Sequence, residues 1–451
     1  MKERVGLVFD NSPKCVELIL DIWNQRGCVV FADWRIPKKR IIEMLDMCGV
    51  KKCYISSSIF SKWNDEGCLD AQIQFCVVED DSSTAGMIPE SIMEKYKENY
   101  SEEEALILFS SGTTGKSKGI ILSHRAITKN ADAVMSYMNL EEDDVFYIVK
   151  TLAHSSTFVG ELLVALRSHH RVVISPSVYS PLLALKNINK FGVTIMCVNP
   201  TLIRLYCTLY KKAKISLDSL KTIYTSGAVM SEQLLREIQE TFQGVEILNV
   251  YGLTEAGPRV SAQTKGKTWK DGSVGAAIRG VELAVLDGDG NVLPDGQRGV
   301  VHVKSECMYV GYVSNVPSRE SLYQGWFNTG DVGYLCDGEL FITGRWDNMI
   351  IQGSHNIFPE DVEREVSKIS GINECLIFGV EDEINGESMV CIYTASENMG
   401  DVISDYCIEN LATYEIPKTF IRVENIPKTE NGKVSRRLAQ EMYLGGNLCQ
   451  L

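Results

Sequence analysis

The stretch Leu106-Ile-Leu-Phe-Ser-Ser-Gly-Thr-Thr-Gly-Lys-Ser-Lys-Gly119 is the one best equipped for chemistry. An apolar run passes into a loop of glycines, hydroxyl residues and two lysines. Glycine lets backbone N–H groups converge on an anion, the hydroxyls of Ser110, Ser111, Thr113 and Thr114 add donors, and Lys116 and Lys118 add charge. That set of groups binds phosphate. Gly115-Lys116-Ser117 also suggests the ATPase P-loop G-x-x-x-x-G-K-[ST]. However, Ser110 stands where its first glycine belongs. A P-loop also opens into a helix, whereas Gly119-Ile-Ile-Leu122 has strand character. The spacing therefore predicts a strand–loop–strand hairpin that folds over the phosphates of a nucleotide.

Further segments follow in a fixed order: Asn249-Val-Tyr-Gly-Leu-Thr-Glu255, Trp326-Phe-Asn-Thr-Gly-Asp331, Gly344-Arg-Trp-Asp347, and Ile426-Pro-Lys-Thr-Glu-Asn-Gly-Lys433. With the loop, they resemble the adenylate-forming superfamily: acyl-CoA synthetases, stand-alone adenylation domains and luciferases. Supporting matches at Asp33-Trp-Arg-Ile-Pro37 and from Gly299-Val-Val-His-Val303 to Gly311-Tyr312 extend the resemblance from about residue 5 to about residue 440. Two positions depart from the family pattern: Ser117 replaces a usual proline, and Ser354 replaces a frequent second glycine.

The resemblance implies a role for each position. Ser110, Ser111, Gly112, Thr113, Thr114, Gly115, Lys116 and Lys118 would hold the ATP phosphates. Gly227, Ala228, Asn249, Tyr251 and Gly252 would surround the nucleotide, with Tyr251 stacked on adenine. Thr254 would bond the α-phosphate and Glu255 would hold Mg²⁺, an ion that favours carboxylate and phosphate oxygens. Asp331 would accept both ribose hydroxyls, as a two-oxygen carboxylate can, and Arg345 would contact the nucleotide as a permanent cation. Asp347 would be the hinge. Gly353 and Ser354 would line the thiol channel. Lys433 would neutralise charge shared by the attacking carboxylate and the α-phosphate.

The implied reaction has two halves. A carboxylate attacks the α-phosphate of Mg·ATP to give an acyl-adenylate and pyrophosphate; a thiol then displaces AMP to give a thioester. The cofactors expected are ATP and Mg²⁺, with CoA or carrier-protein phosphopantetheine as co-substrate. Protein partners compatible with this are an acyl carrier protein and a second copy of the chain in a homodimer. Two other readings stay open: an enzyme that passes the acyl group to an amine or stops at the adenylate, and a non-catalytic nucleotide-binding relative. The last predicts losses at Lys433, Asp331 or Glu255, and all three are present.

The acid itself would meet His154, Ser226, Pro258 and Arg259. His154, ending Thr151-Leu-Ala-His154, aligns with a gate position of acyl- and aryl-CoA ligases. Amino-acid adenylation domains place an aspartate just after it for the α-amine; here Ser155 and Ser156 follow, which disfavours an α-amino acid. Arg259 is either a partner for a polar or anionic group on the acid or a salt-bridged surface residue.

These residues need a scaffold. Short apolar runs at Val5–Phe9, Cys28–Ala32, 145–150, 171–174, 193–198 and 222–226 alternate with helical spacing at 14–23 and 41–47, which implies α/β architecture with a largely parallel sheet. After about residue 275 the texture changes to short strands at Val281–Leu286, 299–303 and 340–342 between Asp-Gly turns, an antiparallel pattern. The helix expected at 359–367 opens a third texture. The resulting fold class is α/β: a large N-terminal domain (residues 1–345) of parallel α/β subdomains plus a β-barrel-like antiparallel region. A small mobile α+β lid (residues 346–451) would carry the catalytic lysine. The polar, acidic stretch 79–104 reads as a surface connection.

Composition sets the outer bounds. The chain has 451 residues, 45% hydrophobic and 23% charged, an ordinary globular mix. A formal net charge of −14 gives no general attraction to nucleic acid or anionic lipid. The 14 cysteines are scattered without a Cys-x-x-Cys pair, as expected for small buried hydrophobes in a reducing compartment. With no apolar run near the ~18 residues of a membrane span and no signal-like start, the expected location is the cytoplasm. Family members usually carry several dozen residues before the segment that opens here at Val5, so this would be an N-terminally short member, trimmed or covered at that face by another chain.

Overall fold

Strands that read as continuous apolar runs must be covered on both faces, and the helices between them do this. In the computed structural model, which describes residues 3–65, 72–80, 84–111, 117–177, 180–213, 215, 217–227, 230, 232–313, 324–352, 355–428 and 434–448, Arg4–Val8 lies at the heart of a seven-stranded sheet. Its order is Gly311–Tyr312, Ser117–Ser123, Glu104–Ser111, Cys28–Phe31, Arg4–Val8, Lys52–Ser56, Gln74–Val78. The last five run parallel. Helix Pro13–Asn24 covers the sheet with Cys15, Val16, Ile19 and Leu20 buried. Ser12 caps it by accepting from the Cys15 N–H, and Pro13 occupies the first turn, where its missing donor costs nothing.

A second sheet orders Ala276–Ala277, Arg259–Ala262, Glu246–Gly252, Thr222–Thr225, Ile195–Val198, Val145–Ile148, Arg171–Ile174 and Gly86–Met87. Its five central strands are parallel, and both edges turn antiparallel. The expected strands at 145–150, 171–174, 193–198 and 222–226 are therefore present. One continuous core joins the sheets through Leu7, Phe9, Leu108, Ile127, Phe158 and Val250. Trp23 sits edge-on to both His124 and Phe158, with ring centres 5.4 and 5.7 Å away. Each large apolar side chain fully buried in this core contributes about 1.5–3 kcal/mol. The acidic stretch 79–104 does more than connect: it supplies the edge strand Gly86–Met87 and helix Glu90–Met93, with Ile88 and Ile92 buried.

By contacts the chain divides into two compact units. The first holds Met1–Gly227, Glu237–Leu283 and Val303–Phe327; the second holds Ala228–Arg236, Ala284–His302 and Asn328–Leu451. A four-stranded sheet, Val281–Leu286, Gly299–Ser305, Phe327–Cys336 and Glu339–Arg345, has most of its residues in the second unit, and its last two strands pair antiparallel. Beyond it, Ile372–Asp382 and Gly386–Ala395 form a long antiparallel pair, extended by Ile350–Gln352 and His355–Ile357 on one side and Thr419–Arg422 beside Gly386–Ala395. Helix Pro359–Val366 buries Val362 and Val366 against this sheet, together with Ile377, Met389 and Ile403. The described cysteines form no disulfide with one another, and most are buried.

Candidate active site

The phosphate-loop segment is a hairpin, as its spacing predicted. Glu104–Ser111 and Ser117–Ser123 pair antiparallel, with Ser110 opposite Lys118 and Ser111 opposite Ser117. Gly112, Thr113, Thr114, Gly115 and Lys116 lie outside the described residues. Lys118 holds its ammonium 5.3 Å from the ring centre of Tyr312. The Tyr312 hydroxyl donates to Glu255 Oε1 at 3.1 Å, and the Tyr309 N–H donates to the Glu255 carbonyl at 2.8 Å. A cation, an aromatic ring and a carboxylate are thus in line beside the hairpin. The Glu255 carboxylate is the kind of oxygen donor that Mg²⁺ favours.

Two short segments run side by side here. One is Ser155–Thr157 leading into the fully buried π-helical turn Phe158–Leu163; such turns recur at functional sites. The other is the turn from Gly252 to Arg259. They touch at one end where Ser155 Oγ and Thr254 Oγ1 lie 2.8 Å apart. At the other end the Arg259 guanidinium lies against Gly160: a Cβ added there would meet Nη2 at 3.0 Å and Nε at 3.2 Å. The turn is tight, since a Cβ on Gly252 would sit 1.9 Å from the Pro258 carbonyl oxygen. His154 precedes the first segment, half-buried, its carbonyl accepting from the Thr157 and Phe158 N–H groups. His154 also lies near Asp33. Burial works against the Asp33 charge, but the Arg35 guanidinium 2.5 Å away prevails and holds its carboxyl below the usual range, with His154 adding to the effect.

Arg259 is no surface residue. It is 2% exposed and belongs with Glu161, 1% exposed, and Lys150, whose Nζ lies 3.0 Å from Glu161 Oε1. Burial pushes the Glu161 carboxyl up, against the opposing pull of Lys150 and Arg259. The backbone of Arg259 is gripped by Asn130, whose Oδ1 accepts from the Arg259 N–H at 3.0 Å while Nδ2 donates to its carbonyl at 2.9 Å.

Ser226 and Gly227 follow strand Thr222–Thr225, and Gly227 takes φ +92°, a conformation that favours glycine. Ala228 lies outside the described residues. Asn249 is a brace: its Oδ1 accepts from Thr225 Oγ1 at 2.5 Å and its Nδ2 donates to the Ser273 carbonyl at 3.3 Å. Tyr251, two residues on, is half-buried against the core.

In the second unit, Asp331 and Arg345 face each other across neighbouring strands, with Arg345 Nε 3.4 Å from Asp331 Oδ1. Arg345 Nη2 also donates to the Thr329 carbonyl at 3.3 Å. Asp347 is exposed in the short turn Trp346–Asn348, and the adjacent Asn348 donates to Glu360 Oε1 at 2.6 Å. Gly353, Ser354 and Lys433 lie outside the described residues.

Sequence reading passed over Lys150, Glu161, Asn130 and Tyr312 as functional candidates. Only Tyr312 carried a signal, as the last residue of a quoted family motif. Among the described residues, the one carboxylate cluster with metal-binding spacing is Glu141, Asp143 and Asp144. Lys221 and Thr194 engage it, and it lies on none of the site segments.

Comparison with known proteins agrees with this arrangement. Residues 1–313 match the family model for AMP-binding enzymes, and residues 361–433 match the AMP-binding enzyme C-terminal domain. Oxalate–CoA ligase of Arabidopsis thaliana is 28% identical over 77% of this chain and 69% of that ligase. Indoleacetate–CoA ligase of Aromatoleum aromaticum is 30% identical over 73% of this chain and 66% of its own. Among solved structures, ATP-bound MatB from Rhodopseudomonas palustris superposes with a TM-score of 0.86 at 21% identity, covering 99% of this chain and 90% of that one. The o-succinylbenzoate CoA synthetase of Bacillus subtilis, holding its acyl-adenylate, gives 0.82 at 22% identity, covering 97% and 88%. No helix among the described residues is long and apolar enough to cross a membrane. With two family models matching in order, this chain belongs to the AMP-binding enzyme family, the adenylate-forming superfamily of ATP-dependent, AMP-forming ligases.

Proposed function

We propose that the chain activates a carboxylic acid other than an α-amino acid as its adenylate and passes the acyl group to the thiol of CoA. The observation that carries this reading is the contact of Ser155 with Thr254 at 2.8 Å. It joins the residue assigned to the α-phosphate to the segment assigned to the acid. The only carboxylate in residues 151–163 is Glu161, already paired with Lys150, so this segment offers no free anion to an α-ammonium group. CoA ligases among the relatives support the CoA thiol as acceptor.

In the first half-reaction an acid carboxylate oxygen attacks the α-phosphorus of ATP and pyrophosphate leaves. Thr254 donates to an α-phosphate oxygen, Ser110, Ser111 and Lys118 support the departing phosphates, and Lys433 neutralises the shared negative charge. Glu255, steadied by Tyr312, would hold Mg²⁺, which supplies charge neutralisation on the phosphates. Asp331 accepts the ribose hydroxyls and Arg345 adds a fixed cation. In the second half the CoA thiolate attacks the acyl carbon and AMP leaves. Residues 346–451 act as the lid, turning at Asp347 so that Lys433 serves the first half and Gly353 and Ser354 the second.

Separate measurement of the two halves tests this. Lys433→Ala should abolish acid-dependent ATP–pyrophosphate exchange while thioester formation from supplied acyl-adenylate and CoA stays within a few-fold of wild type. Equal loss of both halves contradicts the scheme. CoA inactive where a pantetheinylated carrier protein serves moves the acceptor assignment to the carrier.

A further inference from the structure

The Lys150–Glu161–Arg259 cluster is unusual for a protein interior because its charges do not cancel. One carboxylate stands among two cations: Glu161 is ion-paired with Lys150 alone and feels the Arg259 guanidinium through space, with Glu161 and Arg259 1% and 2% exposed and the Lys150 side chain 12%. A buried charge without a counter-charge is strongly disfavoured. Tyr137 and Cys197 flank the guanidinium and are neutral. Several polar atoms at the cluster have no hydrogen-bond partner among the described residues: the donors Arg259 Nε, Lys150 Nζ, Tyr137 Oη and Thr157 Oγ1, against the single acceptor Glu161 Oε1, which meets Lys150 only as an ion pair. Buried polar groups are normally paired, so donors left over around a surplus positive charge call for an anionic acceptor.

The position of the cluster indicates which anion. Ser155 meets Thr254 at one end of two adjacent segments, and Gly160 meets Arg259 at the other. Ser155 and Gly160 are five residue steps apart in this helical segment, a span of about 7 Å. That is the scale of a short acid, not of a fatty chain. Gly160 makes the far contact workable, because a side chain there would crowd the guanidinium. An acid whose reacting carboxylate lies at Thr254 would bring its other end to Arg259.

We infer that Lys150, Arg259 and Glu161 form a carboxylate-binding subsite at the far end of the acid pocket, so that the acid activated is a short dicarboxylic acid. The second carboxylate supplies the missing negative charge and accepts from the guanidinium, while Glu161 holds Lys150 and Asn130 holds the Arg259 backbone. This rests on the ligase reading, since the subsite is defined relative to the residue assigned to the α-phosphate.

The test is acid-dependent ATP–pyrophosphate exchange by the full chain with malonate, succinate and glutarate, each beside the monocarboxylate of equal length, and with a panel of longer aliphatic and aryl acids. The best diacid should exceed its monocarboxylate in kcat/KM by at least about 100-fold, as sites built to pair a polar group reject analogues lacking it. Arg259→Met should cut that preference below about 10-fold, chiefly through KM. Lys150→Met, at the better-exposed end of the cluster, gives the same readout should Arg259→Met fail to fold. Exchange supported by monocarboxylates alone, or a diacid preference that survives both substitutions, overturns the subsite and leaves the ligase reading intact. No acid-dependent exchange with any acid overturns the ligase reading, and the subsite with it.

Discussion

Asn130→Leu should loosen the turn that carries Arg259 without touching any motif residue. Asn130 is wholly buried on helix His124–Met138, and its amide brackets the Arg259 peptide with bonds of 3.0 and 2.9 Å. Leucine keeps the heavy-atom count and branching of asparagine and is not smaller, so none of the effect comes from a cavity. The Arg259 N–H then loses its acceptor in a buried place, at about 1–3 kcal/mol, and its carbonyl loses a donor, at about 0.5–1.5 kcal/mol. The sum is about 2–4 kcal/mol. Hydrogen-exchange mass spectrometry of a peptide spanning residues 253–262 reads this directly, as a fall of that size in the opening free energy of the turn, while peptides from residues 372–395 stay unchanged. Exchange of pyrophosphate should weaken mainly in the KM for the acid. A fall below about 0.5 kcal/mol would refute the reasoning: the turn would then be held by the sheet and Gly252 packing alone.

Gly252→Ala places a methyl group 1.9 Å from the Pro258 carbonyl oxygen. Backbone must move to accept it, so stability should drop by about 3 kcal/mol, seen in the urea midpoint, with acid-dependent exchange lost. Glu363 offers a pH test in the second unit. Burial and the nearby Glu360 push its carboxyl up to about 7 although Arg436, 2.6 Å away, and the Ile377 N–H pull the other way. The folded chain therefore holds this proton more tightly than the unfolded chain. Its stabilisation is complete below the ordinary carboxylate range and is lost as pH rises through about 7. The full loss is up to about 3 kcal/mol, trimmed by the 17% of the side chain left in water. Thermal melts from pH 5 to 8 should show this decline and Glu363→Gln should flatten it; an unchanged slope in the variant assigns the dependence elsewhere.

Much of the scaffold was legible because the signals are local. The hairpin at Glu104–Ser111 and Ser117–Ser123 followed from the strand character of Gly119-Ile-Ile-Leu122, which a P-loop helix could not have. The parallel strands announced themselves as unbroken apolar runs, and the ordered motifs supplied the family. The buried cluster did not announce itself. Arg259 read equally as a pocket or surface residue, since a sequence does not reveal that position 160 returns to meet position 259. Asn130 is equally silent: on an amphipathic helix an asparagine usually marks the wet face, and only the arrival of Arg259 against it makes it a clamp. Tyr312 and Glu255 meet across 57 positions in the chain, beyond the reach of any local pattern.

The turn from Gly252 to Arg259 explains why these distant residues matter together. Its Thr254 and Glu255 are assigned to the nucleotide, while Arg259, five positions later, ends in the buried cluster. It is pinned at three places: by the close packing of Gly252 on Pro258, by the Asn130 bracket, and by the Tyr309 N–H on the Glu255 carbonyl. A turn fixed at both ends and its middle cannot adjust the acid end without disturbing the phosphate end. Reaction geometry tolerates little displacement, about an ångström being enough to cost a hundredfold in rate. An acid that leaves Arg259 unpartnered therefore carries a penalty in chemistry as well as in binding. In the proposed site, the rigid turn assigned to the α-phosphate is also the one that reads the far end of the acid.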